Sequence, residues 1–146
     1  MARYPITSAA TWGAHPDAVT ATLTEWAVRP FAWGSADCAL SVLRYAERVS
    51  GRSLAPAPVY SGERGARRYA LRRGGFLAAF RDGVEAIGCR RVSATVRGDI
   101  GMIECAGTGL TAALCLGDKW AARGDGEVLI LPAQPVIAWR VPCPQQ

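Results

Sequence analysis

Residues 30–51 read PFAWGSADCALSVLRYAERVSG, and this stretch decides the fold. An aromatic pair, Phe31 and Trp33, and a glycine lead into Asp37-Cys38. From there Leu40, Leu43 and Ala46, with Val42 or Val49, fall on one face at helical spacing. Asp37 suits an N-cap, and Gly51 is placed to end the helix. Cys38 therefore stands at a helix mouth. There unpaired N–H groups and the helix dipole favour a thiolate and can hold an oxyanion.

Upstream, residues 15–29 (HPDAVTATLTEWAVR) predict a helix that starts near His15 or Pro16 and ends before Pro30. Residues 1–15 form a polar and aromatic arm without a clear period. Downstream, a loop rich in Pro and Gly is followed by a short, very basic helix, ERGARRYALRRGG, and by GFLAAFRDGVEAIGC, with Phe76, Leu77, Phe80, Val84 and Ile87 at helical spacing. From Arg90 the pattern turns to strands: RRVSATV, GDIGMIEC, LTAALCLGD, KWAARG, EVLILP and VIAWRVP, separated by Gly, Asp or Pro turns. Helices first and strands afterwards predict one α+β domain over residues 1–146. It comprises the arm (1–15), a mainly helical half (16–88) and a curled antiparallel sheet (89–141).

Of 146 residues, half are hydrophobic, which suits a single core. The net charge of +5 is carried almost wholly by arginine, since Lys119 is the only lysine. Such an excess favours polyanionic neighbours without choosing among nucleic acid, cell-wall polymer and an acidic protein face. Five cysteines occur with no CxxC pair, so zinc and thioredoxin-like readings fail on spacing, and no metal or cofactor is expected. Free thiols made in a reducing compartment are the expectation. The first residues hold no apolar core of a signal peptide, and no stretch approaches the ~20 apolar residues of a membrane span.

The WGSADC segment before a helix, with an antiparallel sheet after it, resembles the NlpC-type cell-wall peptidases of the papain-like superfamily. The family's next landmark is a Gly-Asp turn opening a strand, here Gly98-Asp99. After it comes a strand that begins with the catalytic histidine and closes in Gly-Asp, here TAALCLGDKW. The resemblance implies a papain-like fold with Cys38 as the nucleophile, and counting back from Leu116-Gly117-Asp118 puts Thr111 where the histidine should stand. A threonine hydroxyl is not basic near neutral pH and cannot activate a thiol. The chain's single histidine, His15, lies in the arm.

A second resemblance runs nearly the whole length. VRPFAWGSADCAL, GARRYALRRGGF, RGDIGMIE, AALCLGD and IAWRV come in the order seen in a family of small proteins of tailed phages, prophages and gene transfer agents. Genes of that family tend to lie among tail genes, near the position otherwise held by a tail-tip peptidase. The resemblance implies a non-catalytic virion component of a phage-like tail, synthesised in the bacterial cytoplasm and built on a degenerate peptidase fold, with other tail proteins as partners. Trp12 and the arginines Arg64, Arg67, Arg68 and Arg72 are the expected docking residues. Two alternatives stay open. One is an active cysteine peptidase on peptidoglycan, with Cys38 as nucleophile and a base from His15 or a partner. The other, weaker one is a nucleic-acid-binding module that uses the arginine helix; for that helix a solvated face or a protein interface is the preferred reading.

Overall fold

The computed structural model describes the backbone of residues 2–5 and, in full, residues 17–107, 109–124 and 127–143. Four helices precede most of the sheet: α1 (Ala18–Val28), α2 (Cys38–Ser50), α3 (Gly62–Leu71) and α4 (Phe76–Ala86). Asp17 caps α1 by accepting the Thr20 amide at 2.8 Å. It is also held by the guanidinium of Arg97, whose Nε lies 2.9 Å away. Asp37 caps α2 as the spacing predicts, and Gly51 ends it in the left-handed conformation, φ 72°. Leu40, Val42, Leu43, Tyr45 and Ala46 of α2 are buried. Each large apolar side chain among them contributes roughly 1.5–3 kcal/mol by leaving water. The basic helix α3 buries no residue at all.

Seven strands form one antiparallel sheet in the order β1-β6-β5-β4-β3-β7-β2. They are β1 (Ala2–Pro5), β2 (Arg90–Arg91), β3 (Ile100–Cys105), β4 (Gly109–Cys115), β5 (Trp120–Gly124), β6 (Glu127–Leu131) and β7 (Ile137–Arg140). The helix-facing side of the sheet packs Ile100, Met102, Ala112, Leu114 and Val128 against Leu23, Trp26, Leu40 and Val84. The opposite face buries Ile103, Ala113, Cys115, Ala122 and Leu131 around Trp120. With both faces covered, β3 is buried at nearly every position, which is why its sequence does not alternate. Gly101 is fixed by this packing, since a Cβ there would lie 2.8 Å from the Ile137 carbonyl and 3.1 Å from the Trp120 ring.

The α+β class and the helix-then-sheet order agree with the sequence reading, with two corrections. Residues 2–5 are not part of an unpaired arm: they pair with β6 from Ala2↔Ile130 to Pro5↔Glu127. Backbone pairing at an open sheet edge leaves no side-chain period to read. The strand expected over RRVSATV shrinks to Arg90–Arg91, because residues 92–99 turn to deliver Asp99 inward. His15, Trp12 and the expected helix start at His15 or Pro16 lie outside the described residues.

Candidate functional site

Cys38 is the first residue of α2, with its side chain partly buried. The sheet meets it where β4 and β5 diverge. These strands pair only through Leu114↔Ala121 and Cys115↔Trp120, so the earlier part of β4 has no ladder on that side among the described residues. The backbone amides of Ala112, and of Ala39 and Cys38 at the helix start, lie near the Cys38 sulfur and pull its pKa down. These donors favour a thiolate, but burial and the adjacent Asp37 outweigh them and push the thiol up to about 11. The effect expected of a helix N-terminus is thus reversed by desolvation.

Thr111 does not stand at the position facing the thiol. It pairs with Ile103, on the face that carries Ala113 and Cys115. Its neighbour Ala112 pairs with Met102, on the helix side where α2 packs. The closing Leu-Gly-Asp element located the strand correctly, but a slip of one residue changes the face in a strand of period two. The residue opposite Cys38 is an alanine, flanked on the same face by Leu110 and Leu114. None of these accepts a proton. Among the described residues there is no histidine and no cluster of side chains that could hold a metal ion.

Asp37 is 1 % exposed. One carboxylate oxygen accepts the Leu40 amide at 2.9 Å, and the other accepts the Gly34 amide at 3.1 Å and the Tyr60 hydroxyl. Burial, and then the bond to Asp37, push the Tyr60 hydroxyl well above the ordinary tyrosine range, so it is a donor only. Tyr60 comes from the loop after α2 and packs its ring 5.3 Å from that of Tyr69 in α3. Nothing in the local pattern announces this residue, 23 positions from its partner. The second landmark, Gly98-Asp99, has the same character. Asp99 is buried, accepts the Val96 amide at 2.8 Å and receives two Arg140 nitrogens at 3.0 Å. Tyr45 of α2 donates to the Gly98 carbonyl at 2.8 Å. Both landmarks tie the helix layer to neighbouring turns.

Beside α2 lies an apolar cavity of about 250 Å³, lined by Leu40, Leu43, Leu54, Tyr60, Phe76 and Phe80. On the outer side of α3, Arg64, Arg68 and Arg72 rim a separate shallow hollow with Val59 and Tyr69. Arg67 points elsewhere and meets Glu63 at 3.3 Å. Leu71 is exposed near the end of the same helix. Trp26, Trp120 and Trp139 are core residues, whereas Trp33 is 41 % exposed and stands edge-on to Phe31 with ring centroids 5.1 Å apart. All five cysteines are free thiols.

The chain belongs to the family described as a domain of unknown function (DUF6950), which matches residues 10–141. No curated protein and no solved structure matches it. No helix among the described residues is long and apolar enough to cross a membrane.

The thiol itself offers a direct check. With its pKa raised to about 11, only about one Cys38 in ten thousand is thiolate at pH 7. Alkylation by iodoacetamide, mapped to Cys38 by peptide mass spectrometry, should rise about tenfold per pH unit from 7 to 10 and level off above 11. A plateau already reached near pH 7 would show an activated nucleophile.

Proposed function

We propose that this chain is a non-catalytic structural component of a phage-like tail, built on a degenerate NlpC-type fold. The observation that carries the non-catalytic reading is the meeting of β4 with Cys38 through Ala112: the thiol faces a backbone amide and an alanine, with no base among the described residues. General-base removal of the thiol proton has no acceptor among those residues. The tail setting is supported by the order of the sequence motifs, from PFAWGSADC to the terminal IAWRV. The fold of a peptidase can persist in a protein whose work is packing.

In this reading the outer face of α3 docks on an acidic neighbour. Arg64, Arg68 and Arg72 are spaced four residues apart and share one side of the helix. Their planar forks suit carboxylates. Membrane insertion has no part in this role, and nucleic acid is disfavoured because three arginines on one side of one short helix make a small patch.

Two measurements test the proposal. The purified chain should release no product from cell-wall sacculi. Turnover that Cys38→Ala abolishes would instead favour the peptidase reading, with its base coming from His15 or a partner. Charge reversal at Arg64, Arg68 and Arg72 together should lower incorporation into particles at least tenfold, a loss of about 1.4 kcal/mol or more. Incorporation at normal stoichiometry would remove α3 as the docking face.

A further inference from the structure

Arg123 points from β5 into the helix layer, at the level of its buried partner Val128. It is 3 % exposed, and its Nε and Nη1 find no hydrogen-bond partner among the described residues. Its remaining nitrogen, Nη2, donates to the Arg29 carbonyl at the end of α1. A buried guanidinium left with empty donors carries a desolvation penalty that no contact among the described residues offsets.

The surroundings deepen the imbalance. Arg29, Arg44, Arg48 and Arg123 line one small cavity, with Glu25 as the only carboxylate among its lining residues. Glu25 is already engaged, 2.6 Å from Arg48 and 3.8 Å from Arg29. Burial, and then the nearby Arg29 charge, push the Arg123 guanidinium below its ordinary value. Ser35 and Ser41, from the turn before α2 and from α2 itself, also line the cavity, and the Ser35 carbonyl holds Arg44 at 3.1 Å. The enclosed space is about 10 Å³, close to what a single water-sized group fills.

We propose that this cavity is a site for a compact anion, a halide or one oxygen of a carboxylate, held by Arg123 from below and by Arg29, Arg44 and Arg48 around the mouth. The size excludes a full phosphate or sulfate from the inner space, while one oxygen of a carboxylate group fits with its carbon at the opening. The same donors serve a free ion from solution and an acidic side chain of another protein. The site is independent of the tail-component reading and uses no chemistry of Cys38: its donors are Arg29 at the end of α1, Arg44 and Arg48 of α2, and Arg123 of β5.

The test uses the full chain at constant ionic strength, with gluconate as the bulky reference anion. Replacing gluconate by chloride or formate should raise the thermal midpoint by about 8 °C at an anion concentration near a hundred times the dissociation constant. The ³⁵Cl resonance should show excess broadening that formate competes away and gluconate does not, saturating at one ion per chain. Formate active with chloride inert would identify the carboxylate as the ligand; both active would leave a free halide as a natural occupant. Arg123→Met removes the buried charge, so it should melt in gluconate at or above the wild-type midpoint and lose the response to both anions. A wild-type midpoint and ³⁵Cl linewidth indifferent to anion identity would mean that the chain supplies its own counter-charge, and would overturn the site. The midpoint response and the linewidth competition are both read on the unaltered chain, so together they decide the matter even if the variant does not fold.

Discussion

Asp37→Ala should lower stability by about 3–4 kcal/mol, a larger loss than a surface cap would give. The helix cap on the Leu40 amide accounts for about 1 kcal/mol. The rest comes from the Tyr60 hydroxyl and the Gly34 amide, which lose their acceptor in a place water does not reach freely. Stranded donors of this kind cost roughly 1–3 kcal/mol each, with partial relief as the loop relaxes. The thermal midpoint should fall by about 10 °C in a chain of this size. Asp37→Asn retains one acceptor oxygen but turns an NH₂ group toward donors, so it should lose about half as much. Tyr60→Phe should cost about 1 kcal/mol alone and almost nothing in the Asp37→Ala background, since the pair acts as a unit. Urea unfolding of the wild type, Asp37→Ala, Tyr60→Phe and the double variant checks the cycle. Additive losses would show that Tyr60 and Asp37 are not coupled.

Much of the fold is legible in the sequence because it rests on local periodicity. The stripe of Leu40, Leu43 and Ala46, the cap at Asp37 and the stop at Gly51 all lie where their spacing puts them. The strands after Arg90 are bounded by glycines and prolines that the chain needs for turning, and five of the six expected ones form over most of their length. The first strand is different. Ala2–Pro5 joins the sheet edge through backbone groups, which every residue but proline shares, so its sequence carries no mark of it.

The candidate site is less legible because it is assembled across distance. Tyr60 reaches Asp37 from a proline-rich loop, and Arg140 reaches Asp99 across 41 residues. Neither contact has a local signature. Thr111 shows a finer failure, because spacing found the strand while the face depends on a single residue of register. Arg123 escapes for a further reason. An arginine inside WAARG reads as an edge or solvent-facing position, and only the packing of α1 and α2 over β5 makes it buried.

Gly34→Ala should be nearly as damaging as the loss of Asp37, by about 3 kcal/mol, because it disturbs the same turn. Gly34 has φ 86°, a conformation that costs an alanine roughly 1–2 kcal/mol. A Cβ at this position would also lie well inside contact distance of the Tyr60 carbonyl oxygen, so the loop that carries Tyr60 must move. Moving it breaks the hydroxyl bond to Asp37 and disturbs the wall of the apolar cavity that Tyr60 lines. Gly34→Ala and Asp37→Ala therefore damage the same turn, and the double variant should fall short of the sum by at least about 1 kcal/mol. Wild-type-like unfolding of Gly34→Ala would show that the turn is loose and that its glycine serves something other than packing. The expected loss instead assigns Trp-Gly, Asp37 and Tyr60 to one structural staple at the start of α2. That staple is needed for packing whether or not the neighbouring thiol reacts.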